Sequence, residues 1–255
     1  MSLKTFFNFR NSRDEEKSFL AHLEDLRMML IKICVALAVT MTLCFVFRSE
    51  LAALVQRPLD AVEPTLSANL QSLGVADSFT ISLELAFYGG IVLGFPFILF
   101  FLAEFVLPAL TVTERHMLYP VALAGFGLFL GGVAFCYFVV LPQTLEFFFK
   151  DAQAMGWHPT WRVREYYSFT TQFLIGFGLA FELPLVVLVL VKLGIVDYAF
   201  LARTRAFALV IIFIVAAVIT PTTDLVTLVL MGGPMYVLYE ICIAISWLMR
   251  DRGGE

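Results

Sequence analysis

Charge is the scarcest property of this sequence, because only 15% of its 255 residues are Asp, Glu, Lys or Arg. A soluble domain typically has about 25%, so a globular protein with a charged, water-exposed surface is excluded. The 17 basic residues are outnumbered by 21 acidic ones. The resulting net charge of −4 excludes a surface of the kind that generally binds nucleic acid.

Cysteine and histidine are also rare, and their placement argues against a metal centre or a cofactor. The four cysteines all lie in apolar runs, where cysteine behaves as a small buried hydrophobic residue; they are Cys34, Cys44, Cys136 and Cys242. The sequence has no Cys-x-x-Cys pair, and it lacks the Gly-x-Ser-x-Gly and His-Glu-x-x-His motifs of hydrolases. We therefore expect a protein that is not an enzyme and that holds no metal or cofactor.

Apolar residues dominate instead. They make up 60% of the chain and include 27 Phe. They form six segments, at residues 28–47, 79–110, 117–145, 166–191, 206–220 and 225–249. A membrane-spanning helix needs ~20 apolar residues, and the first four segments reach that length. The fifth covers only about 22 Å, against a hydrocarbon core of about 30 Å. We predict that it forms a hairpin of two short helices with the sixth; the alternative is a re-entrant pair that never crosses.

The predicted fold class is therefore an all-α membrane protein with six transmembrane helices, of which the last two are short. Prolines within and at the ends of the spans favour bent helices and a cup-shaped bundle. We expect an N-terminal cytoplasmic segment at residues 1–18, the transmembrane domain at 19–249 and a short tail at 250–255. Two Gly-x-x-x-Gly pairs, Gly90 with Gly94 and Gly127 with Gly131, predict close contacts between helices.

The distribution of Lys and Arg predicts the orientation. With the N-terminus inside, eleven basic residues fall in inner segments and five in outer ones, and Lys32 is free to snorkel inward. Both termini are then cytoplasmic. The outer loops fall at residues 48–78 and 147–165. Four aromatic residues in or next to the second loop are interpreted as an interfacial anchor: Trp157, Trp161, Tyr166 and Tyr167.

Carboxylates on the inner face are unexpected, because that face normally favours basic residues. Glu24, Asp25 and Arg27 lie directly before the first apolar segment, and Glu114 lies in the inner loop between the second and third. If these acids converge, they form a site suited to bidentate binding of guanidinium groups. The alternative for Glu114 is a helix N-terminal acid that favours the dipole of the third helix.

Glu182 is the most informative charge inside a span, since an ionisable residue at membrane depth is costly and by default suggests a function. It is either a functional group or a neutral side chain hydrogen-bonded within the bundle. A proton-coupled solute transporter that uses Glu182 is therefore a second functional hypothesis. Asp224, at the turn between the last two spans, is interpreted as a helix cap. Glu84 and Glu104 are given no role.

Four motifs, taken in order, resemble the TatC family over about residues 19–249. They are His-Leu-Glu-Asp-Leu-Arg at 22–27, Pro-Ala-Leu at 108–110 with Glu-Arg at 114–115, Phe-Glu-Leu-Pro at 181–184, and Thr-Pro with Asp at 220–224. Two substitutions depart from the family pattern. Asp25 stands where the family has Glu, so its carboxylate reaches one methylene less far, and Glu24 is an extra acid that can compensate. Phe101 stands where the family often has a polar residue.

The resemblance implies the receptor subunit of the twin-arginine protein translocase. Such a protein lies in the cytoplasmic membrane of a prokaryote and binds signal peptides with consecutive arginines on folded cargo. It works with the single-span proteins TatB and TatA, associates with itself in the receptor complex, and draws on the proton-motive force. By the same resemblance, Asp25 and Glu114 bind the arginines, and Glu182, Phe105 and Pro58 match further positions tied to function, with Pro58 in the first outer loop. We further expect Glu182 to dock a partner helix. Arg27 is a candidate for the signal-peptide site, either as an anchor at the inner face or as a local partner of the acids.

Overall fold

Helices form the body of the molecule in the computed structural model, which describes residues 19–106, 118–192, 194, 196–220 and 224–252. In chain order they are α1 Phe19–Val46, α2 Arg48–Val62, α3 Pro64–Ala68, α4 Asp77–Val106, α5 Leu118–Phe135, a π-helical turn Cys136–Val140, α6 Leu141–Ala154, α7 Val163–Ala180, α8 Leu183–Lys192, α9 Tyr198–Arg203, α10 Arg205–Ile219 and α11 Leu225–Arg252. The predicted all-α class is confirmed. The expected segment at residues 1–18 lies outside the described residues.

Five stretches of the described chain are long and apolar enough to cross a membrane: His22–Val46, Asp77–Val106, Pro120–Ala154, Val163–Val191 and Leu225–Trp247. A shorter apolar helix, Arg205–Val218, supplies the sixth predicted span. α10 is short as predicted, with 15 residues. The last helix is not short, because α11 has 28 residues and continues past its apolar part through Arg252. It therefore includes the start of the expected tail.

The first Gly-x-x-x-Gly pair lets α1 and α4 touch. A Cβ atom on Gly90 would lie 2.6 Å from the Met41 side chain and 2.9 Å from its Cα, and one on Gly94 would lie 3.1 Å from Thr40 Oγ1. Glycine is required at the closer of these positions because no side chain fits there. The Thr40 hydroxyl also donates to the Gly90 carbonyl oxygen at 2.9 Å. The predicted contact is confirmed.

The second pair does not pack as predicted. Nothing among the described residues lies within 4 Å of a Cβ built on Gly127 or Gly131. Gly125 and Gly132 face neighbouring helices instead, together with the buried Phe129. These three residues are spaced by four and three positions, so they share one face of α5. Gly127 and Gly131 therefore lie on the opposite face.

The first outer segment is a structured cap rather than a loop. α2 packs on α7, where the Tyr166 hydroxyl donates to the Val55 carbonyl oxygen at 2.8 Å and the Tyr167 hydroxyl donates to that of Ala52 at 3.2 Å. Both tyrosines are buried, while Trp157 remains 66% exposed. The predicted aromatic anchor is therefore wrong for the two tyrosines, because α2 folds back and covers them.

Pro58 lies inside α2, within the predicted outer segment at residues 48–78, and is buried. Proline has no N–H, and the carbonyl four residues earlier loses its helical donor. That carbonyl belongs to Leu54, and the Tyr137 hydroxyl donates to it at 2.8 Å. Tyr137 belongs to the π-helical turn. Pro58 thus creates the acceptor through which the cap bonds to the third span.

Tyr137→Phe is expected to lower the free energy of unfolding by about 1 kcal/mol, because the Leu54 carbonyl loses its donor. In a Pro58→Ala background the loss should be smaller, since an alanine at this position restores the helical N–H. Thermal unfolding of the four proteins of this cycle in detergent measures both effects. Equal losses in the two backgrounds would show that the proline does not create the acceptor.

Candidate functional site

A small cleft lies between the first and second spans, near the start of α1 and the end of α4. Its volume is about 170 Å³. The lining residues are Asp25, Met28, Met29 and Lys32 of α1 and Phe101, Glu104 and Phe105 of α4. On α1, Asp25 lies three, four and seven positions from the other lining residues, and on α4, Phe101 lies three and four positions from the other two, which places each set on one helical face. We call this site the α1–α4 cleft.

The motif at residues 22–27 lies within α1 and not before it, since α1 already begins at Phe19. This corrects the predicted start of the first span at residue 28. Of the motif's predicted site residues, only Asp25 lines the α1–α4 cleft, where it is half-buried. Glu24 and Arg27 are exposed. Glu24 lies at the edge of the cleft face, directly before Asp25 and four positions before Met28, whereas Arg27, two positions after Asp25, lies on the far side of the helix.

Phe105 joins the motif to α4. Its ring stacks on the His22 imidazole with centroids 4.7 Å apart and an interplanar angle of 26°. This contact closes one side of the α1–α4 cleft, next to Asp25. The structure therefore brings Asp25 and Phe105, two of the predicted site residues, into one site.

An ion pair that the sequence reasoning missed spans the cleft. Lys32 Nζ lies 2.8 Å from Glu104 Oε2, and the two side chains are 40% and 33% exposed. The ammonium also lies 5.7 Å from the centroid of the Phe101 ring, within range of a cation–π interaction. The available signal was a Lys and a Glu at similar depth in two consecutive spans. Lys32 was interpreted only as a snorkelling cation, and Glu104 was given no role.

Glu114 lies outside the described residues. Its predicted approach to Asp25 therefore stays a prediction. α4 ends at Val106, one residue after Phe105 of the cleft.

Glu182 lies at a break in the fourth span, close to Pro184, one of the prolines that were predicted to bend the helices. α7 ends at Ala180 and α8 begins at Leu183. Pro184, which has no N–H, cannot complete the helical hydrogen-bond ladder, and the turn tightens so that the Glu182 N–H donates to the Leu179 carbonyl at 3.1 Å.

The carboxylate of Glu182 packs against α5. A Cβ on Gly125 would lie 3.1 Å from its Oε2, so the glycine leaves room for this group. Its Oε1 is buried and has no hydrogen-bond partner among the residues that the structure describes. A hydrogen bond within the bundle was the alternative to a functional role, and no such bond to Oε1 is present in this part of the chain. Glu182 is not part of the α1–α4 cleft.

Asp224 caps the last helix, as the sequence suggested. Its Oδ1 accepts a hydrogen bond from the Thr227 N–H at 2.7 Å, an N-cap arrangement that satisfies a free donor at the start of α11. The turn residues 221–223 between the last two spans lie outside the described residues. Asp224 thus stabilises the start of α11.

Five long apolar helices and a shorter sixth one, with a charged cleft between the first two spans, define a multi-pass membrane protein. The comparisons with known proteins give the particular family. A family model described as Sec-independent protein translocase protein (TatC) matches residues 21–234. The chain belongs to the TatC family.

Curated relatives carry the same name. The TatC protein of Akkermansia muciniphila is 48% identical over 176 residues, which are 69% of this chain and 50% of that protein. The TatC protein of Deinococcus radiodurans is 38% identical over 237 residues, 92% of this chain and 87% of that protein. The chloroplast TATC protein of Arabidopsis thaliana is 30% identical over 240 residues, 94% of this chain and 68% of that protein.

A solved structure gives the same result for the fold. The crystal structure of the twin arginine translocase receptor TatC superposes with a TM-score of 0.81 at 32% identity, covering 89% of this chain and 98% of that one. The family is a component of a protein translocase and not an enzyme. The alternative of a proton-coupled solute transporter is not favoured by these relatives.

Proposed function

We propose that this protein is the receptor subunit of a twin-arginine translocase and that the α1–α4 cleft binds the arginines of signal peptides on folded cargo. The observation that carries the proposal is the half-buried Asp25, held between two membrane spans in a protein of the TatC family. A carboxylate at the edge of a membrane attracts a cation more strongly than it does in bulk water, because the local dielectric is lower.

The chemistry of the lining suits a guanidinium group. Asp25 offers two oxygens for parallel N–H···O bonds, and Phe105 and Phe101 offer ring faces on which a planar cation stacks. Met28 and Met29 give an adaptable apolar wall. By its match to the loop glutamate of the TatC motif, Glu114 is the second acid proposed for the arginines. The exposed Glu24 adds negative charge at the rim, and the exposed Arg27 anchors α1 at the basic inner face.

The remaining assignments follow from this role. The protein lies in the cytoplasmic membrane of a prokaryote with both termini in the cytoplasm, which puts the cleft on the side where cargo is made. Glu182 docks a polar group on the single helix of a TatB- or TatA-like partner. Copies of the chain associate in the receptor complex, and transport is driven by the proton-motive force.

Titration of a labelled signal peptide into the full-length protein in lipid nanodiscs tests this function. A peptide with two consecutive arginines should bind at least about tenfold more tightly than the same peptide with two lysines, because lysine lacks the bidentate fork. Equal binding of the two peptides, or no binding of either, would contradict an arginine-binding cleft.

A further inference from the structure

The α1–α4 cleft already holds a cation of its own. Lys32 lies seven residues after Asp25 on the same face of α1, about 10 Å further along the helix. Its ammonium is paired with Glu104 and lies near the Phe101 ring. These are the two kinds of contact, carboxylate and aromatic face, that a guanidinium group would use in the same cleft.

We propose that Glu104 is a second arginine-binding carboxylate and that Lys32 is a resident competitor, displaced when a signal peptide binds. The inference rests on the proposed function. Without peptide, Lys32 neutralises Glu104, which would otherwise stand as an unpaired charge between two spans. When the peptide binds, one guanidinium pairs with Asp25 and the next takes the place of the Lys32 ammonium on Glu104.

The exchange is physically reasonable because the two cations differ. An ammonium group is a compact, strongly hydrated charge on a flexible stem, whereas a guanidinium group is planar, weakly hydrated and able to bond a carboxylate through two N–H groups. Lys32 is 40% exposed, so its side chain has a path out of the cleft to water. A ligand with a single arginine pairs with Asp25 and leaves Lys32 in place on Glu104. Only a ligand with two adjacent arginines makes the second contact, with Glu104.

Substitutions of the two partners should act in opposite directions on peptide affinity. Lys32→Gln removes the competitor, and the twin-arginine peptide should bind about two- to fivefold more tightly. Glu104→Gln removes a carboxylate and leaves the lysine charge, and binding should weaken about tenfold or more. The measurement is the nanodisc titration with full-length protein, with a peptide that has one arginine replaced by Gln run in parallel. That peptide should gain less than the twin-arginine peptide from Lys32→Gln, because its single arginine pairs with Asp25 and does not compete with Lys32.

An ion pair that only joins α1 to α4 predicts a different result, because Lys32→Gln and Glu104→Gln break the same bond. The two substitutions would then have the same effect on peptide affinity: either both weaken binding or neither does. That outcome overturns the proposal. Lys32→Arg gives a second test that preserves the pair. A guanidinium at position 32 should hold Glu104 more firmly and weaken peptide binding, whereas a purely structural pair predicts no loss.

Matched controls come from the opposite end of the bundle. Glu84→Gln on α4 and Lys150→Gln, which breaks the Lys150–Glu146 pair, should leave affinity unchanged. Asp25→Ala distinguishes failure of this inference from failure of the proposed function. Loss of binding in Asp25→Ala with no change in Lys32→Gln and Glu104→Gln overturns this inference alone. Unchanged binding in Asp25→Ala overturns the proposed function as well.

Discussion

Asp25→Ala is expected to weaken binding of a twin-arginine signal peptide by about 10- to 100-fold, since a charge-assisted hydrogen bond in a half-buried site is lost. Adding Glu114→Ala should abolish export of a twin-arginine reporter. Glu24→Ala should have a smaller effect than Asp25→Ala, because Glu24 is exposed and does not line the α1–α4 cleft.

Peptide titration in nanodiscs measures the first effect, and reporter export in cells measures the second. Asp25→Glu is the conservative variant; it restores the carboxylate and should retain binding. Glu50→Ala, an acid at the far end of α1 where α2 begins, should behave as the unmodified protein. Export that persists in the double variant would show that these two acids are not the arginine site.

Glu182→Ala is expected to weaken crosslinking to a single-span partner by about 3- to 30-fold, while signal-peptide affinity stays the same. The reason is Glu182 Oε1, a buried acceptor with no hydrogen-bond partner among the described residues, with which a polar group on an incoming helix would pair once the side chain turns outward at the break between α7 and α8. Removal of this acceptor costs the partner a hydrogen bond in an apolar environment. The α1–α4 cleft is formed by other helices and should be unaffected.

Disulfide crosslinking between cysteines placed on α8 and on the partner helix, with the peptide titration on the same samples, measures both quantities. Glu182→Gln keeps an acceptor oxygen and should retain most of the crosslinking. Loss of both crosslinking and peptide binding in Glu182→Ala would instead indicate a folding role for the break between α7 and α8.

The spans could be predicted from the sequence because membrane helices depend on local composition and length. The Gly90 contact was also accessible, since closely spaced glycines in a span favour close approach of a neighbour. The rotation of each helix about its own axis could not be predicted from the sequence. Gly127 and Gly131 have the same spacing as the first pair, but the core contacts of Phe129 turn them away from the neighbouring helices.

The cap was missed for a related reason. The α2 sequence is polar enough to be interpreted as a loop, and it becomes helical over the end of the bundle, where two α7 tyrosines and Tyr137 donate to its carbonyls. These contacts join residues 83 to 115 positions apart. Helix propensity and hydrophobic periodicity cannot predict these hydrogen bonds, because both are local properties of the chain.

For the candidate site, the motif around Asp25 was identified from the sequence, but its surroundings were not. Asp25 and Phe105 were proposed separately, and the structure places both in one cleft. The pairing of Lys32 with Glu104 depends on the register of α1 against α4, and the close contacts of Gly90 and Gly94 near the middle of α4 help to fix that register. A charged residue in a span suggests a function from the sequence alone, but its ion-pair partner can be identified only once the packing of the helices is known.

Photo-crosslinking tests the central claim most directly. A signal peptide with benzoyl-phenylalanine next to its arginines is bound to the full-length protein in membranes, irradiated, and the attachment sites are mapped by mass spectrometry. The account predicts attachment within residues 22–32 and 101–105, lost when Asp25 and Glu114 are both replaced by Ala. Attachment at the α2 cap, or attachment near α1 that survives both substitutions, would contradict it.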